Sequence, residues 1–300
     1  MSVLIELQQA VAAVAVAVGP SVVGIGSRLR GSGVVTGPGR VLTNAHNLRG
    51  PEVTVRFADG RTARGVAKGV DWDGDLAVVE VDTADVPALA WSDGSATIGS
   101  AVFAAAATPA GGARVSFGFV SSVERAFRGP GGRRISGSLE HTAPLAPGSS
   151  GSPLVDADGR LLGINTNRVG EGFYLALPAD ASLKARVDAL ASGASPEPPR
   201  LGIAVAPAHV ASRLRRSVGL PERDGVLVRG VEDGSPAEAA GIAEGDLLVA
   251  AAGKPVTDVD DLHEILRDAG FPLEVTLVRG AEERTATVTA VTAAEAGAGE

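Results

Sequence analysis

The 300-residue chain contains no cysteine. This excludes disulfides, thiolate metal sites and a cysteine nucleophile, and leaves the redox compartment undecided. It also lacks any concentration of positive charge. Residues 1–192 carry 17 Lys and Arg against 17 Asp and Glu, and residues 193–300 carry 10 against 18, so the whole net charge of −8 lies in the last third. Nucleic acid and anionic membrane surfaces, which need phosphate neutralisation, are therefore poor partners. One long apolar stretch is present. The stretch Ala10 to Gly19 reads as too short to span a bilayer, and Met1 to Ala10 holds Glu6 and no Lys or Arg, unlike a signal peptide. Taken as a complete chain, it is expected in the cytoplasm, with an extracytoplasmic location left open.

What is present is turn-rich and apolar: 40 Gly and 18 Pro, with 45% hydrophobic residues, enough for two cores. Residues from about Ile5 to Val18 read as a short helix stopped at Gly19-Pro20. Short runs rich in Val, Ile, Leu and Thr follow, from Ser21 to Gly26 and on to Val115 to Val120, each bounded by Gly, Pro, Asp or Asn. The pattern repeats after Gly131, with Arg134 to Ser136, Leu139 to Thr142, Pro153 to Val155, Leu161 to Thr166 and Gly172 to Leu177. Strands at such spacing suggest an antiparallel barrel or sandwich, here in two similar β halves followed by a helix from about Ala179 to Ala191. Ser192 to Pro199 carries three prolines and falls at the charge seam, so it reads as a linker. Residues 200–292 alternate strands and helices as an α+β unit, and residues 293–300 read as a flexible tail.

Of the four histidines, His46 stands apart because it ends a strand after a Gly-rich hairpin. Asp75 lies in a polar turn running into a buried strand, and Ser150 in a glycine-flanked turn before another. A serine hydroxyl becomes a nucleophile when a neutral imidazole takes its proton, and the imidazole needs a carboxylate to hold its tautomer. Backbone N–H groups of a tight turn can then stabilise the oxyanion if no side chain blocks them, and Gly148 and Gly151 leave that approach open. Rival readings of these residues fail. A nucleophile elbow would need Gly at position 152, which is Ser152. The Asp71, Asp73, Asp75 run begins like a calcium loop but has Leu76 and Asp82 at its sixth and twelfth positions. No metal or cofactor is expected, and His141, His209 and His263 read as structural or solvated.

In this order and setting the residues resemble HtrA-type (Deg) serine proteases. Thr43-Asn44-Ala45-His46, Asp75-Leu76-Ala77 and Gly148-Ser149-Ser150-Gly151-Ser152-Pro153-Leu154 match the three motifs of that family, and Leu162 to Thr166 its following strand. The resemblance implies a mainly β chymotrypsin-like protease domain of two antiparallel β-barrels over residues 1–191 and an α+β PDZ domain over 200–292. It further implies His46, Asp75 and Ser150 as catalytic residues and an oxyanion hole from Gly148, Ser149 and Ser150. Arg200-Leu201-Gly202-Ile203 stands where the PDZ carboxylate-binding loop is expected. Leu201, Gly202, Ile203, Leu262 and Leu266 are its expected peptide-binding residues. The acidic balance of this region should discourage acidic peptide tails. The expected function is endopeptidase cleavage of unfolded or damaged proteins, with peptide C-termini as partners.

Two departures, Ser149 for Asn and Ser152 for Gly, motivate an alternative: a protease-fold peptide-binding or chaperone protein with little turnover. If residue 152 required a positive φ, serine there would be strained. Pro144 occupies the position of the carboxylate that selects Lys or Arg in trypsin-like enzymes, so small or aliphatic residues are expected before the cleaved bond. Relatives often trimerise through N-terminal aromatics, but Met1 to Gly33 contains none, and a homotrimer is left open.

Overall fold

Short β-prone runs separated by turns expose unpaired edges unless they close on themselves. In the computed structural model, which describes residues 2–129, 134–170, 172–195, 199–217, 219–221 and 223–290, they do so twice. The chain divides into one unit over Met1–Pro196, holding both closed barrels, and a second over Glu197–Glu300. The C-terminal tail from residue 291, and part of the linker at 196–198, lie outside the described residues.

The first barrel comprises β1 (Val22–Ile25), β2 (Gly31–Gly37), β3 (Arg40–Thr43), β4 (Glu52–Arg56), β5 (Thr62–Asp71) and β6 (Leu76–Glu80), in the order β1-β2-β3-β6-β5-β4. The second comprises β7 (Ala101–Ala107), β8 (Ala113–Arg128), β9 (Arg134–His141), β10 (Pro153–Val155), β11 (Leu161–Arg168) and β12 (Tyr174–Pro178), in the order β10-β11-β12-β9-β8-β7. All strand pairs are antiparallel. Leu42 and Leu76 from the first barrel meet Phe103, Leu161 and Ile164 from the second in one buried cluster. Side chains so withdrawn from water contribute about 1.5–3 kcal/mol each, which fixes the two barrels against one another.

Helix α1 (Val3–Val18) adds Val14 and Val18 to this cluster, and α2 (Ala181–Ala191) adds Leu183, Val187 and Leu190. The N-terminal helix corrects one expectation. Leu4, Ile5 and Leu7 extend it, so that Val3–Ser21 forms a helical run of 19 residues with mean hydropathy 1.6, long and apolar enough to cross a membrane. Helix α2 starts at Ala181 because the Asp180 carboxylate accepts from Leu183 N at 2.8 Å and caps it.

Strand β5 carries no regular apolar alternation, and two of its residues are glycines. Those glycines are steric necessities. A Cβ on Gly69 would collide with the carbonyls of Leu190 and Ala194, and one on Gly65 with Val79. The segments expected as two strands at Arg134 to Ser136 and Leu139 to Thr142 are the single strand β9, bent at Gly137, whose φ is +79°.

The second unit is a sheet in the order β13-β14-β15-β17-β18, built from β13 (Ile203–Ala206), β14 (Val226–Val231), β15 (Leu247–Ala251), β17 (Leu273–Arg279) and β18 (Glu282–Val288). A short β16 (Lys254–Pro255) pairs with β15, and helices α3 (Ala208–Ser217), α4 (Pro236–Ala239) and α5 (Val259–Ala269) complete the unit. The Asp246 carboxylate is buried, which by itself pushes its pKa up. Bonds from Arg279 at 2.7 and 2.8 Å, and from Ala243 N at 2.9 Å, outweigh that and hold it below the ordinary value.

Candidate active site

His46 sits in the 3-10 turn Ala45–Asn47 that follows β3, and Asp75 ends the polar turn between β5 and β6. Pairing of β3 with β6 puts Thr43 opposite Ala77, which brings the two turns together across 29 residues of sequence. The imidazole Nδ1 lies 3.0 Å from Asp75 Oδ1 and 2.9 Å from Oδ2, and His46 N donates to Oδ1 at 3.2 Å. Asp75 is fully buried at 1% side-chain exposure, whereas His46 keeps 34% and stays open on its other edge.

Asp75 adopts φ +53°, a left-handed conformation that aspartate tolerates better than most residues. Asn44 Nδ2 grips its carbonyl at 2.9 Å, and Thr166 Oγ1 donates to its carboxylate at 2.8 Å. Neither partnership is visible in the sequence, because Thr166 lies 91 residues from Asp75 and no local pattern marks the pair. The Asp71 carboxylate turns instead to Gly74 N and Arg186, so Asp71 and Asp75 face different partners and do not converge.

Ser150 lies within a turn in which Gly148 (φ +85°) and Gly151 (φ +88°) take the left-handed positions. Ser152 does not, so the strain anticipated for a serine there does not arise. Its hydroxyl instead accepts from Asn165 Nδ2 at 3.0 Å inside the core. The Ser150 hydroxyl donates to Thr166 O at 3.0 Å, and in this state no Ser150–His46 hydrogen bond forms. The N–H groups of Gly148 and Ser150 donate to no acceptor among the described residues. Ser149 is corrected: its N–H closes the turn onto Ala146 O at 3.2 Å and is not available as a third oxyanion donor. Beside this turn lies a cavity of about 260 Å³, walled by Leu145, Ala146, Asn165, Thr166 and Tyr174, with no carboxylate among the described residues of its lining.

Behind the turn, buried His141 places Nε2 2.8 Å from Asn165 Oδ1 and stacks on Tyr174. Burial lowers its pKa from 6.5 to about 4, against the opposing pull of Asn165 and Glu140. An unfolded chain binds that proton below pH 6.5 and the folded one does not, so stability is intact above pH 6.5 and falls as pH drops toward 4. A shift from 6.5 to about 4 corresponds to a loss on the order of 3 kcal/mol. Denaturant titrations at pH 7.5 and 5 should show about 2 kcal/mol of this loss in the wild type, the rest falling between pH 5 and 4, and a smaller one in His141→Gln; equal losses in both would refute it.

In the second unit, Gly202 takes φ +76°, and a Cβ there would collide with Ser235. Glu232 N binds Gly202 O at 2.8 Å, and Ala237 N binds Leu201 O at 2.9 Å, fixing the loop before β13. Among the described residues, strand β13 pairs only with β14 and leaves a free edge, along which Ile203 and Val205 are half-buried. Leu262 and Leu266 are corrected: each is 3% exposed and belongs to the core with Ile265, because residues three and four apart share the face of α5 that packs on the sheet. The side chain of Leu201 is buried in the same core.

The descriptions of two families match the chain: a trypsin-like peptidase domain over residues 31–164 and a PDZ domain over 227–279. The HhoA protein of Synechocystis sp. is 34% identical over 278 residues, covering 86% of this chain and 70% of that protein. The chain belongs to the HtrA-type serine protease family. It is a serine endopeptidase by that membership. The mitochondrial serine protease HTRA2 of Drosophila grimshawi is 30% identical over 279 residues, covering 86% of this chain and 65% of that protein. Among solved structures, the HtrA-type protease AlgW aligns at TM-score 0.73 and 24% identity in its decapeptide complex, covering 92% of this chain and 97% of that one. Its tripeptide complex aligns at TM-score 0.66 and 26% identity, covering 92% and 95%. The two-barrel fold is thus that of an HtrA-type protease, and the N-terminal helix precedes the matched peptidase region.

Proposed function

We propose that this HtrA-type protease cleaves unfolded or damaged polypeptides with His46, Asp75 and Ser150 as its triad. The observation that carries the reading is the buried Asp75 carboxylate 2.9 Å from His46 Nδ1, beside a glycine-flanked serine turn. The Ser150 hydroxyl swings from Thr166 O to His46 Nε2 and attacks the scissile carbonyl carbon as the imidazole takes its proton. A C–O bond forms, and the carbonyl π pair moves onto oxygen, where the N–H groups of Gly148 and Ser150 receive it. Collapse breaks the C–N bond, and the leaving amine takes the proton from His46. Water then repeats the sequence on the acyl-enzyme, returning the proton to Ser150. Asp75 holds the tautomer and stabilises the imidazolium throughout. The binding-only alternative rested on Ser149 and Ser152, and neither distorts the turn.

Residues 1–191 act in this reading as the protease domain, 192–199 as a linker and 200–292 as the PDZ domain. The free edge of β13 accepts a peptide C-terminus as an added strand, its carboxylate held by the backbone of Leu201, Gly202 and Ile203. AlgW, solved with peptides, is consistent with that role. A fluorophosphonate probe should label the wild type at Ser150 and leave Ser150→Ala unlabelled; a folded wild type that resists labelling would sink the triad. The cavity of about 260 Å³, with no carboxylate among its described lining residues, leads us to expect cleavage after Val, Ala or Leu in a peptide library, and dominant cleavage after Lys or Arg would contradict it.

A further inference from the structure

Asn47 closes the 3-10 turn immediately after His46 and is buried at 2% exposure. Its amide Nδ2 donates to Thr43 Oγ1 at 3.0 Å and to Ser150 O at 2.9 Å. Thr43 Oγ1 donates in turn to Ser32 O at 2.6 Å, and Ser32 N donates back to Ser150 O at 2.8 Å. Asn47, Thr43, Ser32 and Ser150 thereby form a closed hydrogen-bonded ring. The chemistry dictates the amide's orientation, because only an NH2 can face both a carbonyl and a hydroxyl whose proton is already committed. The same Ser32 reaches further into the nucleophile turn, its Oγ donating to Gly148 O at 2.9 Å while accepting from Ala107 N at 3.1 Å.

The consequence is geometric. The peptide group after Ser150 is held at both ends, its carbonyl by Asn47 and Ser32 and its N–H by Asn165 O at 2.7 Å. The peptide group after Gly148 is likewise held, its carbonyl by Ser32 and its N–H by Ala146 O. Between these two fixed planes lies the 149–150 peptide, whose N–H is an oxyanion donor in the mechanism above. The surroundings leave room for the ring: a Cβ on Gly31 would overlap the Asn47 amide, and one on Gly151 would overlap Ser32 O and Thr43 Oγ1. The ring adds little stability of its own. Asn47 Oδ1 is buried without a hydrogen-bond partner, which is unfavourable, and Ser150 O would keep Ser32 N if the amide were lost.

We propose that Asn47 and Ser32 are positioning residues for peptide hydrolysis: from the His46-bearing barrel they grip the carbonyls of Ser150 and Gly148, holding nucleophile and oxyanion donors in register with the base. This rests on the roles assigned above to His46 and Ser150. The test compares wild type, Asn47→Leu, Ser32→Ala and Ser150→Ala by fluorophosphonate labelling rate, by kcat and KM on a peptide with Val before the cleaved bond, and by Tm. Asn47→Leu and Ser32→Ala should label, and turn over, on the order of 10- to 100-fold more slowly than wild type. KM should stay within about twofold, since the loss is confined to the transition state. Tm should move little. Wild-type rates in both variants, or a loss seen only in KM or Tm, would overturn the proposal. If Asn47→Leu does not fold, Ser32→Ala, which deletes one hydroxyl, carries the same expectation and the same refutation. A wild type that labels while Ser150→Ala does not separates failure of this proposal from failure of the triad; an unlabelled wild type removes both.

Discussion

Replacing Ser150 with alanine is expected to lower kcat on a peptide substrate by roughly a million-fold while leaving KM and Tm near their wild-type values. The size follows from what is removed. Without Oγ there is no atom to form the acyl bond, and His46 has no proton to take, so the imidazole and its carboxylate become idle together. Residual activity would come only from the oxyanion donors acting on attack by water. The fold should not register the change, because the turn is fixed through its backbone: Gly151 N to Asn165 O at 2.7 Å, and Ser32 N to Ser150 O at 2.8 Å. The deleted hydroxyl leaves only Thr166 O short of one partner. Stopped-assay kinetics at saturating substrate, with thermal melts of the same samples, test this. A folded variant retaining more than about a hundredth of wild-type kcat would show that Ser150 is not the nucleophile.

Asp75→Asn should reduce kcat by about ten thousand-fold at neutral pH, again with little effect on KM. Both carboxylate oxygens of Asp75 are committed: to His46 Nδ1 at 2.9 and 3.0 Å, to His46 N at 3.2 Å and to Thr166 Oγ1 at 2.8 Å. An asparagine must turn its NH2 toward one of these donors. Facing Nδ1, it stabilises the tautomer that carries its proton on Nε2, which cannot accept a proton from Ser150. The substitution isolates electrostatics from backbone geometry, because asparagine tolerates the φ of +53° at this position about as well as aspartate. Alanine would mix the two effects. A loss of less than about tenfold in Asp75→Asn would mean that the carboxylate neither selects the tautomer nor stabilises the imidazolium.

Much of this architecture was legible in the sequence, where local chemistry and local structure coincide. The Val- and Leu-rich runs around Leu42, Leu76 and Ile164 could bury themselves only as strands, and the glycines at 148 and 151 announced a turn needing positive φ. His46, Asp75 and Ser150 stood out as candidates because each stands where such a run meets a turn, in an order shared with the family. The acidic last third marked the second unit, and Asp246 accounts for one of its charges, spent on Arg279 within the sheet.

Other features escaped because their causes lie far away along the chain. Strand β5 has an unremarkable sequence, and its glycines make sense only once β6 lies against Gly65 and the end of α2 against Gly69. Leu262 and Leu266 carried the spacing of a groove wall, but spacing cannot say whether a helical face meets a ligand or its own sheet, and packing decided for the sheet. Ser152 looked like a strained substitution until the turn assigned its left-handed positions to Gly148 and Gly151.

By itself, then, the sequence determined the two β halves, the charge seam and the choice of candidate reactive groups, since these depend on residue type and short-range periodicity. Tertiary structure alone decided the partners of those groups: Thr166 on Asp75, Asn165 on Ser152, Asn47 and Ser32 on Ser150. Hydrogen bonds between residues tens of positions apart depend on barrel closure and register, which no local pattern encodes.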